Sequence, residues 1–106
     1  MGSRPIFRSM GYTYILTNQH RNVLYVGSTT ESKKRIYLHR NRLLPGFTKQ
    51  YNVTVLVYFE VHPDETTAVM RENQIKAESR AKKIALINAR NSLSQDLFDQ
   101  LNLPAK

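Results

Sequence analysis

Arg35, His39 and Arg42 follow one another at i, i+4 and i+7, the spacing of one helical face. A guanidinium is an always-charged fork whose geometry suits phosphate oxygens, and an imidazole gains and loses a proton near neutral pH. Further along, Glu72 shares a helical stripe with Ala68, Ile75 and Ser79, a carboxylate between small and apolar neighbours. One carboxylate of that kind can hold a hard divalent cation that keeps most of its waters. Tyr14 and Tyr25 stand in segments rich in aromatic and β-branched residues. A phenol has an ordinary pKa near ~10, so it takes a proton from water only where neighbouring charge favours the phenolate. Each residue also has a plain structural explanation: strand tyrosines pack, arginines on a basic helix are solvated, and Glu72 can pair with Lys76 one turn on. Together they form a set able to bind an oxyanion and move a proton beside it.

The elements that must position this set begin with a hairpin. Residues 12–16 and 23–26 are predicted strands, joined by the polar loop Asn18, Gln19, His20, Arg21 and Asn22. A turn centred on Gln19 and His20 would set Tyr14 opposite Tyr25 on one face of the hairpin. Ser28, Thr29 and Thr30 supply N-cap candidates for a helix to about residue 43, which Pro45 and Gly46 stop. Across residues 52–61, Val53, Val55, Val57, Phe59 and Val61 alternate with Thr54, Leu56, Tyr58 and Glu60, the pattern of a central strand with one strongly apolar face. Pro63 and Asp64 open a helical region running to about residue 89, with Asp64 and Glu65 where the helix dipole favours acids. That order predicts an α+β fold.

Composition narrows the class of partner. The chain has 106 residues, room for one core, and its 16 Lys and Arg against 8 Asp and Glu leave a net charge of +8. So large a surplus favours a polyanion, through counterion release from phosphates. The lack of cysteine removes disulfides, thiolate zinc sites and cysteine nucleophiles. No apolar run is long enough for a signal peptide or a membrane span, so the expectation is a cytoplasmic protein with no membrane partner. Residues 1–10 have the character of a leader, residues 11–97 of the functional domain, and residues 98–106 of a tail.

The residues in order carry a specific resemblance. Tyr12-Thr13-Tyr14-Ile15-Leu16-Thr17-Asn18 followed by Leu24-Tyr25-Val26-Gly27-Ser28-Thr29 resembles the paired elements that name the GIY-YIG nuclease superfamily. Lys34-Arg35-Ile36-Tyr37-Leu38-His39 resembles the family's Arg-x-x-x-His helix, and Gly46-Phe47-Thr48-Lys49-Gln50-Tyr51-Asn52 a segment typical of its small single-domain members. Ala68, Glu72, Ile75, Lys76, Leu86, Ile87, Asn91, Asp96 and Leu97 complete the match, which spans residues 11–97. The resemblance implies a small three-stranded antiparallel sheet flanked by helices. It implies a site of Tyr14, Tyr25, Arg35 and His39, with Glu72 binding one divalent cation, Mg2+ or Mn2+, and Asn91 as a supporting polar residue. Glu78, Lys82 and Ser94 stand where such members carry tryptophans, and Ser92 where they carry proline.

Hydrolysis of a phosphodiester needs a nucleophilic water, charge stabilisation at the phosphoryl oxygens and help for the departing oxygen, and these residue types can supply them. The expected function is a metal-dependent DNA endonuclease, structure-selective or weakly specific, with DNA repair or recombination as its setting and no evident protein partner. Lys33, Lys34, Arg40, Arg42 and Lys49 around the first helix, with Arg71, Lys76, Arg80, Lys82, Lys83 and Arg90 beyond, are the candidate DNA track. The alternatives are a nucleic-acid-binding module that has lost turnover and a basic protein-interaction domain.

Overall fold

The computed structural model describes residues 10–41 and 46–102. In chain order the elements are β1 (Gly11–Thr17), β2 (Leu24–Thr29), α1 (Ser32–Arg40), α2 (Phe47–Gln50), β3 (Val55–His62), α3 (Glu65–Lys76), α4 (Arg80–Arg90) and a 3-10 turn, η1 (Phe98–Asn102). The strands form one antiparallel sheet ordered β2-β1-β3, so the α+β architecture is the expected one.

The hairpin register is set two residues away from the expected one: Tyr14 pairs with Gly27, and Tyr25 with Leu16. The cause lies in the loop. The Asn18 carboxamide oxygen accepts from the backbone N–H groups of Asn22 and Val23, and Arg21 takes φ 58° while its N–H reaches the Asn18 carbonyl. This moves the turn toward Arg21. Because the slip is an even number of residues, both tyrosines still project from the same face. β2 also continues through Thr29, so Ser28 and Thr29 are strand residues and not helix caps; Thr29 Oγ1 accepts from the Glu31 N–H as the chain leaves the sheet.

β1, and not β3, is the central strand. The alternation read from residues 53–61 is broken by a bulge opposite Ile15 and Leu16, which turns Val57 and Tyr58 toward the same face. On that face Ile15, Val26, Val57 and Tyr58 pack with Ile75 of α3 and Ile87 of α4. On the other, Tyr14, Leu16, Val53 and Leu56 pack with Ile36 of α1, while Leu97, Phe98 and Leu101 close over them. Packing thus continues past residue 97, the bound read from the sequence. Each fully buried Ile or Leu contributes roughly 1.5–3 kcal/mol of apolar burial.

The predicted long helical region is two helices. Ser79 is the N-cap of α4, its hydroxyl accepting from the Lys82 N–H, so it falls outside the stripe of Ala68, Glu72 and Ile75. Asp64 caps α3 by accepting from the Thr67 N–H at 2.8 Å. Two contacts seat that helix on β1. The Thr13 hydroxyl donates to the Ala68 carbonyl at 2.8 Å, and a Cβ on Gly11 would lie 2.7 Å from that of Ala68 and closer still to the Asp64 carbonyl oxygen. With Ala68 fixed against the sheet, Glu72 follows one turn later, beside β2.

Candidate active site

Three elements meet at the outer edge of β2. Tyr14 projects from β1 and is 1% exposed, with its ring lying across Gly27 of the edge strand. Tyr25, two residues along β2 on the same face, is half-buried, and Arg35 arrives from α1, anchored by the buried neighbour Ile36. Glu72 comes from α3 on the opposite face to the same edge, where its Oε1 accepts from the Ser28 hydroxyl at 2.5 Å. Its Oε2 faces the Lys76 ammonium at 2.6 Å, and the side chain is 17% exposed.

The electrostatics of Tyr14 register this convergence. Burial, first of all, pushes its hydroxyl above the ordinary phenol range; proximity to Tyr25 and the Glu72 carboxylate adds to the rise, while the charge and hydrogen bond of Arg35 oppose it. The hydroxyl therefore keeps its proton at neutral pH. Accepting from Arg35, it can donate to a water or an anionic oxygen.

A cleft of about 290 Å³ opens beside the arginine, lined by Thr29, Thr30, Glu31, Lys34, Arg35 and Leu38. Among the described residues no three His, Cys, Asp or Glu side chains cluster; Glu72 is the carboxylate whose charge reaches Tyr14, and Glu31 lines the adjoining cleft. Such a donor set fits a hard ion such as Mg2+ or Mn2+, which binds through one or two carboxylates and retains waters.

The structure thus brings together Tyr14, Tyr25, Arg35 and Glu72. His39 falls one turn after Arg35 in α1, but its side chain, like those of Lys33 and Arg40, lies outside the described residues, as do all of Arg42 and Pro45, the first residue of the expected helix stop. Lys34 is exposed and near Glu31 at 3.8 Å, and Lys49 is exposed at the end of α2. Arg80 donates to the Asn22 carbonyl, bracing the hairpin loop, and Arg71 is committed to Glu60.

Asn91 does not join the site. It is the 7% exposed C-cap of α4, and its Nδ2 donates to the carbonyls of Val57 and Gln95 while its Oδ1 accepts from the Gln95 N–H. It braces the bulge of β3, on the far side of the sheet from β2. Glu78 and Lys82, at positions expected to hold tryptophan, pair at 3.4 Å along a groove between α3 and α4 that Ile75, Ala85, Leu86 and Ala89 also line. The site residues that sequence reasoning passed over are Gly27, whose lack of a side chain admits the Tyr14 ring, and Ser28, which holds Glu72. Only the Tyr-Val-Gly tripeptide hinted at the first, and nothing in the sequence hinted at the second.

Residues 10–85 match the family model of the GIY-YIG catalytic domain, and the chain belongs to that family of nucleases. A UPF0213 protein of Clostridium perfringens is 33% identical over 89% of this chain and 100% of its own length, and one from Staphylococcus haemolyticus is 37% identical over 74% of this chain and 95% of its own. The solution NMR structure of a UPF0213 protein from Bacillus halodurans superposes with a TM-score of 0.53 at 26% identity, covering 82% of this chain and 92% of that one. Membership implies a nucleic-acid substrate and a hydrolytic reaction of the kind that family members generally run with a divalent metal. No helix among the described residues is long and apolar enough to cross a membrane.

Proposed function

We propose that this chain is a divalent-cation-dependent endonuclease that hydrolyses DNA phosphodiester bonds, with Tyr14, Tyr25, Arg35, His39 and Glu72 as its working residues. The observation that carries the reading is the convergence of Tyr14, Arg35 and Glu72 at one sheet edge, from a strand and two helices on opposite faces. A phenol, a guanidinium and a carboxylate meeting there match the three demands of the reaction: placing a water, holding phosphoryl oxygens and supplying positive charge through a bound cation.

In the reaction a water oxygen bonds to phosphorus as the phosphorus–O3′ bond breaks, and the departing O3′ takes a proton from solvent. Arg35, already bonded to Tyr14, has further N–H donors for a non-bridging phosphate oxygen. The protonated Tyr14 hydroxyl orients the water by hydrogen bonding. Taking the water's proton falls to the half-buried Tyr25 or to His39. Glu72, steadied by the Ser28 hydroxyl, would hold Mg2+ or Mn2+, which would supply positive charge to neutralise and polarise the phosphate. The net charge of +8 supports attraction to a phosphate backbone, and Lys33, Lys34, Arg40, Arg42 and Lys49 are its proposed track, of which Lys34 lines the cleft. Selection of DNA by structure, in repair or recombination, belongs to the same reading.

A second reading, a binding module without turnover, draws on the Lys76 ammonium that already sits on the Glu72 carboxylate. Labelled duplex, single-stranded and branched DNA incubated with Mg2+, Mn2+ or EDTA separates the two. Cutting that requires both the cation and Glu72 is the expected result for the nuclease. Metal-dependent cutting that survives Glu72→Ala would sink the assignment of Glu72, and salt-sensitive binding without cutting would establish the binding module.

A further inference from the structure

Both oxygens of the Glu72 carboxylate have a partner, and the two partners differ in kind. Ser28 gives Oε1 a neutral hydroxyl at 2.5 Å, which can remain when a cation arrives because each carboxylate oxygen carries a second lone pair. Lys76 gives Oε2 an ammonium at 2.6 Å, from the last turn of α3, where a cation is favoured by the helix dipole. An i, i+4 pair of this order is ordinary on an exposed helix. Here the carboxylate is 17% exposed, while the lysine is 51% exposed and can swing into water. A divalent ion beside Oε2 would meet the ammonium as a like charge a few ångströms away.

We infer that Lys76 is a built-in competitor for the divalent cation at Glu72: the ammonium neutralises the carboxylate when no metal is bound, and metal entry requires it to leave. The inference rests on the reading of Glu72 as the cation ligand. It makes Lys76 a positioning residue acting through Glu72, and it weakens cation binding in the absence of DNA.

The test is a Mn2+ titration of the DNA-free chain, following free Mn2+ by electron paramagnetic resonance, for wild type, Lys76→Met, Lys76→Arg, Glu72→Gln and the double variant Glu72→Gln/Lys76→Met. Removing a like charge at this range should tighten Mn2+ binding roughly tenfold in Lys76→Met, whereas Lys76→Arg, which keeps the charge, should stay near wild type. Glu72→Gln should lose the site, and Lys76→Met should then have no effect. Binding that appears only in Lys76→Met supports the inference equally. If Glu72→Gln loses Mn2+ but Lys76→Met binds no tighter than wild type, or if Lys76→Arg tightens as much as Lys76→Met, competition is overturned and the role of Glu72 stands. If wild type and Glu72→Gln bind alike, or no form binds, both ideas fall. Far-UV circular dichroism of each variant verifies that the half-exposed position tolerates the change.

Discussion

Tyr14 and Gly27 pair across β1 and β2, and a Cβ built on Gly27 would lie 2.6 Å from the Tyr14 hydroxyl oxygen and 2.7 Å from Cζ of its ring. Real Cβ atoms do not approach so closely. The missing side chain is what lets a phenol from the central strand lie over the edge strand, within the fields of Arg35 and Glu72. The need at Gly27 is for space.

Gly27→Ala should therefore act on Tyr14. Either the ring or the strand must move, at the ~1–3 kcal/mol typical of overpacking. Thermal unfolding should show a lower midpoint, and DNA cleavage assayed well below that midpoint should fall by about tenfold or more, since misplacement near 1 Å can cost a hundredfold. Cleavage at the wild-type rate by a folded Gly27→Ala protein would show that Tyr14 need not lie where it does.

The raised Tyr14 hydroxyl ties stability to alkaline pH. Its folded value lies above the ordinary 10.0, through burial first, so the folded chain keeps a proton that the unfolded chain releases. Stability is thus fully present below pH 10.0 and is lost as pH rises past it toward the folded value. Tyr58, raised by burial and by its hydrogen bond to Glu60, adds to the same limb. Urea unfolding from about pH 8 to 11 should show the decline in wild type and a shallower one in Tyr14→Phe. An unchanged slope in the variant would mean the hydroxyl is not held in its protonated state by the fold.

Much of this could be read in the sequence, and the failures have physical causes. Tyr14, Tyr25, Arg35 and Glu72 were legible because each stands in a short ordered motif whose spacing survives folding. The turn position was not, because one carboxamide, that of Asn18, organises the loop by accepting two N–H groups. The rank of β3 was misread because a bulge breaks period two without changing composition, leaving Val61 50% exposed where the alternation would have buried it. The helix break at Ser79 was hidden within a run of good helix formers. Asn91 was legible as important, but a buried carboxamide bracing a bulge and one serving a site look alike in sequence.

Asn91→Ala separates those roles. The change leaves the carbonyls of Val57 and Gln95 and the N–H of Gln95 without the partner they now have, and leaving such groups unsatisfied costs about 1–3 kcal/mol where they stay dry. We expect a loss of about 2–3 kcal/mol in urea unfolding, with cleavage per folded molecule kept near wild type. Loss of cleavage without loss of stability would return Asn91 to the site.

Glu60 should govern the acid side of the stability profile. Burial raises its carboxyl, but Arg71, reaching it through Nε at 2.9 Å and Nη2 at 3.0 Å, the Tyr58 hydroxyl, and the charges of Arg71 and His62 outweigh burial and hold it below the ordinary 4.5. The unfolded chain then takes up the proton first as pH falls, so this contribution is complete above pH 4.5 and is lost as pH drops through the folded value. Glu60→Gln removes the titrating group and leaves Arg71, 29% exposed, facing a neutral amide, which should cost roughly 1–3 kcal/mol at neutral pH. Glu60, Tyr58 and His62 lie on β3, across the sheet from β2, and although Arg71 directly precedes Glu72 on α3 its side chain turns to Glu60, so cleavage by the folded variant should persist. Urea unfolding between about pH 3 and 7 should give a flatter acid limb for Glu60→Gln than for wild type, and parallel limbs would place the acid sensitivity on other carboxylates.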